Sequence, residues 1–131
     1  RTQFVLLYIK HTETNPEGVT QMIEKVYNMT DSKEKMVEML ILDENVHYIH
    51  MIFNKGEGLP EHFSNSNVYM TVLRGILSIG LGEQEIHEYE KGTVLKIPFN
   101  TKMNHVGNKH DELLEITVVK APAPEKMKKI E

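Results

Sequence analysis

The segment "PEHFSNSNVYMTVLRG", residues 60–75, changes character halfway along its length. It starts with His62 and a polar Ser-Asn-Ser-Asn run, and it continues as an apolar stretch that stops at a glycine. Successive side chains of a strand point to opposite faces, so Val68, Met70 and Val72 are expected to share the inward face. Ser and Asn side chains hydrogen-bond to nearby backbone in turns. The segment therefore predicts a core strand, preceded by a polar rim at the mouth of a barrel.

Short apolar stretches separated by turn residues extend from this strand in both directions. Upstream, "MVEMLIL" and "VHYIHMIFN" are divided by a charged turn; downstream, "ILSIGLG", "TVLKIPFN" and "LLEITVVKAP" follow one another. Regularly spaced short strands are typical of sandwiches and barrels. Residues 35–120 are therefore predicted to be all-β, an antiparallel β-barrel or jelly roll, which leaves no long sheet edge exposed. Pro98 cannot donate to a ladder and is expected at a strand end or edge.

The two ends of the chain differ from this central region. Residues 1–34 are predicted to form an extension that contains a short strand, in "FVLLYI", and a helix over residues 16–28. The helix is indicated by an asparagine cap, a proline at the first helical position and apolar side chains along one face. Residues 121–131 are predicted to be a charged, solvated tail. The chain starts with arginine and Met22 would make a sensible beginning, so the origin of residues 1–21 is left open.

Length and charge argue against several classes of function. The chain has 131 residues, enough for one domain, with 15 Lys and Arg against 19 Asp and Glu. No basic stripe is present, which argues against a nucleic-acid partner. The absence of cysteine excludes disulfides, thiol catalysis and Cys-based metal sites. The first apolar run is too short to span a bilayer and has no signal-peptide cleavage pattern, so we expect no membrane partner and a cytoplasmic location.

Two glycine motifs carry a family resemblance. Five residues separate Gly56 from His62, "VLRG" follows, and five residues separate Gly92 from Pro98. This pattern resembles the two motifs of the cupin superfamily, and over residues 35–120 the chain is similar to a small single-domain, RmlC-like cupin. The resemblance implies a cupin β-barrel. The resemblance also implies a divalent metal, as in the family. Such a metal needs several imidazoles and one carboxylate.

The ligand positions of these motifs depart from the family pattern. His62 occupies the first ligand position, but the second holds Ser64, the glutamate position holds Val68 and the last histidine position holds Met103. Valine and methionine supply neither a neutral nitrogen nor a charge-balancing oxygen. Even a catalytic zinc site normally takes three protein ligands. We therefore expect a degenerate metal site and no cofactor, with a divalent metal as the less favoured alternative.

A second histidine lies near the last ligand position. His105 comes two residues after Met103, and residues i and i+2 of a strand face the same way. If a metal is bound, its predicted ligands are His62 and His105, with a third from His47 or His50. These last two lie on opposite faces of their strand, and the sequence does not indicate which one faces inward.

Three function classes follow from the predicted barrel, and whether the protein is an enzyme is left open. The first is a metal-free cupin that binds a small molecule in the barrel pocket. The second is a metal-dependent cupin enzyme of the isomerase or dioxygenase type. The third is a structural or regulatory homodimer with a vestigial pocket. The predicted pocket residues are His62, Ser64, Asn67, Met70, Met103 and His105. Alternatively, the polar residues among them only bond to backbone.

The N-terminal segment predicts a homodimer. "FVLLYI" is apolar on both faces, and so are "VHYIHMIFN" and "VEMLIL" in the barrel. A strand with two apolar faces needs a neighbour on each of them. Residues 3–9 are therefore predicted to add a strand to a sheet, and that sheet can belong to a partner subunit, because exchange of an element is a low-cost route to a dimer.

Overall fold

The computed structural model describes residues 22–130, which form two packed antiparallel sheets and a short helix. The strands, in chain order, are β1 (Met36–Leu42), β2 (His47–Phe53), β3 (Gly58–Leu59), β4 (His62–Phe63), β5 (Val68–Arg74), β6 (Ile76–Leu81), β7 (His87–Glu90), β8 (Val94–Ile97), β9 (Lys102–Gly107) and β10 (Leu114–Lys120). The first sheet has the order β1-β2-β10-β5-β8, and the second has the order β3-β9-β6-β7, with β4 also paired to β9. Helix α1 (Pro124–Ile130) follows the last strand. The predicted all-β jelly roll is confirmed.

The core lies between the two sheets and is built from alternate residues of their strands. Val68, Met70 and Val72 of β5 are all buried there, as the alternation in the sequence predicts. Side chains from β2, β6, β8, β9 and β10 complete the cluster. Pro98 lies directly after the last residue of β8, at the strand end where a missing N–H costs nothing.

Gly75 carries the chain from the first sheet to the second. It is the single residue between β5 and β6, and its φ of 79° is one that glycine adopts without strain. A Cβ at this position would collide with the carbonyl oxygen of Leu113. The glycine that ends the "VLRG" stretch is therefore required by both backbone conformation and space.

The predictions for the N-terminal region have a mixed outcome. Residues 22–28, the described part of the predicted helix over 16–28, form no helix, so that part of the prediction is wrong. The apolar side chains of this part are poorly buried: Ile23 is fully exposed, Met22 is largely exposed and Val26 is about half exposed. Isolated helices of this length are marginal without tertiary packing. The predicted strand over residues 3–9 and the first part of the helix lie outside the described residues.

The C-terminal segment is more ordered than its charge suggested. Residues 124–130 form α1, with Glu125 in the first turn and Lys128 and Lys129 in the last turn, the order that suits the helix dipole. Ala123 and Met127 are buried, so the expectation of a solvated tail is wrong for these two residues. Neither α1 nor any other helix within residues 22–130 has the length and apolarity needed to cross a membrane.

Candidate functional site

The polar run after β4 ties together three loops at one end of the barrel. The Ser64 hydroxyl donates to the carbonyl of Pro98 at 2.7 Å and accepts from the backbone N–H of Thr101 at 2.8 Å. The amide of Asn67 donates to the carbonyl of Ala121 at 3.3 Å and accepts from the N–H of Phe99 at 3.2 Å. The hydroxyl of Ser66 donates to the Pro122 carbonyl. These side chains thus hold the rim of the barrel.

Three further predicted pocket residues, Met70, Met103 and His62, lie on β5, β9 and β4. Met70 and Met103 are both buried in the apolar cluster between the sheets. His62 lies opposite Met103 in the pairing of β4 with β9, and its Nδ1 is 2.8 Å from the carbonyl oxygen of Pro60. Ser64 and Asn67 therefore hold loops, and Met70 and Met103 contribute to the core between the sheets.

His105 does not point where Met103 points, because the pairing of β9 with β6 contains a register shift. Leu81 is opposite Met103, but Gly80 is opposite His105, so one extra residue of β9 lies between the two pairs. The next residue, Val106, is again in the core. An extra residue reverses the alternation of a strand. His105 therefore lies on the outer face of its sheet, and the parity argument that placed it inside is wrong.

A groove lies at the end of the barrel that the polar run closes. It has a volume of about 430 Å³. We call it the His47 groove; its lining residues are His47, Asn65, Phe99, Lys120, Pro124, Glu125 and Lys128. His47 and Lys120 are directly opposite each other in the pairing of β2 with β10. Each is two residues away from a core residue of its strand, Ile49 or Val118. Both therefore lie on the inner face of the sheet, just beyond the end of the core.

Burial disfavours the charged form of both of these groups. Burial lowers the pKa of the Lys120 ammonium below its ordinary value. Burial is also the main cause that lowers the pKa of His47; Lys120 lowers it further, while Glu125 and Asp43 act in the opposite direction. Among the described residues, no carboxylate lies within ion-pair distance of Lys120. The groove thus holds a partly buried cation that has no anion.

His47 is predicted from the sequence only as an alternative metal ligand, and Lys120 is not among the predicted site residues. The available signal was the parity of "LLEITVVK": counting from Ile116 and Val118 places Lys120 on the inner face. The strand of His47 carries apolar residues on both faces, so the same count gives no answer there.

The comparisons with known proteins identify the family. No protein-family model matches the chain. Over 107 residues it is 42% identical to the uncharacterized protein MJ0764 of Methanocaldococcus jannaschii, covering 81% of this chain and 91% of that protein. It also matches the crystal structure of an RmlC-like cupin family protein with a double-stranded β-helix fold from the same organism. That match has 41% identity and a TM-score of 0.78, over 82% of this chain and 99% of that chain. The chain belongs to the RmlC-like cupin family.

More distant cupins share the fold alone. A cupin-like protein from Thermotoga maritima is 21% identical with a TM-score of 0.62, over 78% of this cupin and 82% of that chain. A cupin superfamily protein from Desulfitobacterium hafniense is 16% identical with a TM-score of 0.60, over 72% and 83% of the two chains. The predicted resemblance to an RmlC-like cupin is therefore confirmed.

The residues at the family's ligand positions do not fit a metal ion in this cupin. His62 is the one imidazole among them; Ser64 is occupied by two backbone hydrogen bonds, and Val68 and Met103 belong to the core. His105 lies on another face. Within residues 22–130, no three His, Asp or Glu side chains converge in a way that could hold a metal ion. No step of a mechanism is therefore derived through a metal here.

Two further depressions lie on this cupin. One, of about 490 Å³, adjoins the His47 groove and shares His47 and Glu125 with it. Its other lining residues are Leu42, Asp43, Glu44, Ala123, Lys126 and Lys129. The second, of about 660 Å³, lies between the β2–β3 loop and β9 and includes His105. Its charged lining residues are Lys55, Glu57 and Lys109. Both lysines are exposed, whereas Lys120 is partly buried.

The outer face of the first sheet holds a buried charged cluster. His50 of β2 is fully buried; its Nδ1 is 2.7 Å from Glu38 of β1 and its Nε2 is 2.6 Å from Glu115 of β10. Arg74 of β5 reaches the other oxygen of Glu115 at 3.3 Å. The cluster joins four strands of one sheet, and it lies on the opposite face from the His47 groove.

Proposed function

We propose that this cupin binds a small molecule in the His47 groove without the help of a metal. The observation that carries the proposal is Lys120, a partly buried ammonium that lines a groove beside His47 and has no carboxylate partner within residues 22–130. Leaving a buried charge unpaired is costly, and such groups are usually paired. Small-molecule sites are concave and carry a few convergent polar groups with perturbed pKa values.

The rim supports this proposal by fixing the walls of the groove. Asn65 and Phe99 line it, and both lie in loops held by the hydrogen bonds of Ser64 and Asn67. A site is most effective when surrounding hydrogen bonds hold its lining residues in place. The predicted pocket residues Ser64 and Asn67 thus act on the groove indirectly, as supports of its wall.

A ligand screen monitored by NMR tests the proposal. Sugars, organic acids and amino acids are added to the labelled protein, and the amide signals of His47 and Lys120 are followed together with the melting temperature. We expect at least one class of compound to shift both amide signals and to raise the melting temperature, as binding to the native state requires. If no class perturbs the groove, the proposal is wrong and a vestigial pocket is favoured.

Metal analysis of the same sample tests the metal-free part. We expect no stoichiometric manganese, iron, nickel or zinc after dialysis, because the residues at the family's ligand positions supply too few donors. A metal that survives dialysis and is lost with His62→Ala would contradict this and favour a metal-dependent enzyme. His87→Ala, a change at an exposed histidine, serves as the control.

A further inference from the structure

We infer that the ligand of the His47 groove is a small anion with a carboxylate or phosphate group, and that its binding is coupled to protonation of His47. This inference rests on the proposed function and names the class of its ligand. The observation behind it is that His47 and Lys120, both of which are positive when protonated, are directly opposite each other in the sheet.

The pair itself is unfavourable when both groups are charged. His47 and Lys120 are directly opposite each other, and like charges at such positions destabilise a sheet. Burial and Lys120 together lower the pKa of His47, so they disfavour the protonated ring. An anion between the two groups would offset both causes, since a nearby opposite charge favours the charged form.

The charged groups around His47 include one more lysine than carboxylates. Among the described residues that line the groove, Lys120 and Lys128 are the cations and Glu125 is the single carboxylate. In the adjoining depression, Asp43, Glu44 and Glu125 lie with Lys126 and Lys129. Among these, Glu125 and Asp43 are the groups that favour protonation of His47. Glu125 thus partly substitutes for the anion and competes with it.

Binding of the anion and of the proton must reinforce each other. If an anion binds the protonated form tenfold more tightly than the neutral form, it raises the pKa of His47 by about one unit, because linkage is reciprocal. Affinity should therefore increase as the pH falls through the titration of His47. A neutral ligand would show no such dependence.

The test uses sulfate, which keeps its charge over the whole range of pH, with succinate as the carboxylate probe. His47 ring signals are titrated by NMR with each anion, and with chloride at matched ionic strength. We expect the midpoint of His47 to rise, and affinity to improve about fivefold or more between pH 7.5 and 5.5. A midpoint equal to that in chloride, for both probes, would overturn the inference.

Variants separate this inference from the proposed function. Lys120→Met removes a desolvated charge and keeps the length of the side chain, and it should abolish the shift of the His47 midpoint. Lys96→Met, a change on the outer face of the first sheet, should leave the shift intact. Glu125→Gln should tighten anion binding. Anion binding that survives Lys120→Met would overturn the inference.

The ligand screen provides the remaining outcomes. If a neutral sugar perturbs the groove and no anion does, the proposed function stands and the anion inference is wrong. If no compound perturbs the groove, both are wrong. If anions bind and the midpoint of His47 rises with them, both are supported.

Discussion

At the scale of single residues, His50 illustrates how a buried polar group depends on its partners. Both ring nitrogens are at hydrogen-bond distance from a carboxylate, that of Glu38 or that of Glu115. The ring of His50 thus bridges carboxylates from both neighbouring strands while it is fully buried.

Removal of His50 should destabilise the protein strongly. We expect His50→Leu to lower the free energy of unfolding by about 3 kcal/mol or more, because it leaves the buried carboxylate of Glu38 beside an apolar group. Urea unfolding measures this. In the triple variant with Glu38→Met and Glu115→Met, most of the loss should be recovered, since a buried ion cluster can be replaced by apolar residues. Equal losses in both variants would refute the electrostatic explanation.

Gly75 gives a second prediction at this scale. Gly75→Ala should lower the free energy of unfolding by more than about 2 kcal/mol, because it adds the cost of a positive φ to a collision with the Leu113 carbonyl. Gly82→Ala is the matched control, since its φ is also positive and open space surrounds it. The control should cost about 1 kcal/mol in the same urea experiment. If the two variants unfold alike, space at Gly75 is not limiting.

Single residues are also where prediction from the sequence was least secure. The inward position of Val68, Met70 and Val72 was predicted correctly, since regular alternation decides it. The position of His105 was not, because one extra residue in β9 reversed the alternation. A glycine inside a strand often marks a bulge, and Gly80 was the signal available. Lys120 was missed although counting from Ile116 and Val118 places it on the inner face, because a lysine at a strand end is usually exposed.

At the scale of elements, the polar run after β4 acts as a clamp between loops. Ser64→Ala should lower the free energy of unfolding by about 1–3 kcal/mol, since Thr101 is half-buried and its N–H loses its partner. Asn65→Ala is the control from the same run: its side chain is exposed and should cost less than about 0.5 kcal/mol. Thermal unfolding compares them. If Ser64→Ala is as mild as the control, the clamp is not a source of stability.

A second contact between elements produces a dependence on pH. Glu88 of β7 accepts from the hydroxyl of Ser78 of β6 and lies 2.8 Å from Nε2 of His110. These hydrogen bonds, that of Ser78 first, lower the pKa of Glu88 below its ordinary value of 4.5. A lowered pKa in the folded state gives stability that is present above pH 4.5 and is lost as the pH falls through the folded value.

Glu88→Gln should therefore remove part of the acid sensitivity. Between about pH 4.5 and 2.5, the melting temperature of the variant should fall less steeply than that of the parent protein, while at pH 7 it should be slightly lower. Glu90→Gln, on the same strand and without an ion pair among the described residues, should keep the parent profile. Parallel profiles for Glu88→Gln and the parent would contradict the expectation.

The elements also show what the sequence could and could not predict. Turn residues between apolar stretches located the strands well, because the strands of a jelly roll are separated by turns that contain glycine, proline and charged residues. The stripe from Met22 to Val26 had helical spacing, but its side chains are poorly buried. The opposite holds for α1, whose charged sequence suggested a solvated tail. Met127 in the helix and Ala123 directly before it are both buried. Spacing predicts a helix only where a surface exists to receive it.

At the scale of the whole molecule, the two faces of the first sheet serve different purposes. The inner face carries the core and ends in the His47 groove, whereas the outer face carries the His50 cluster. Towards the β8 edge, the outer face exposes Leu73 and Val94. Apolar residues at an exposed sheet edge are suited to pairing with another strand.

We propose that residues 3–9 provide such a strand in a homodimer, an assembly predicted from the sequence; these residues lie outside the described part of the chain. Their two apolar faces need neighbours, and both edges of the first sheet, β1 and β8, have room for a further strand among the described elements. Light scattering should give the mass of a dimer for the full chain and of a monomer after deletion of residues 1–12. Val94→Lys places a charge on the β8 edge and should weaken the dimer if residues 3–9 pair with β8. Leu42→Lys places a charge on β1 and should weaken it if they pair with β1. A full chain with the mass of a monomer would refute the dimer, and a soluble dimer after the deletion would show that residues 3–9 do not hold it together.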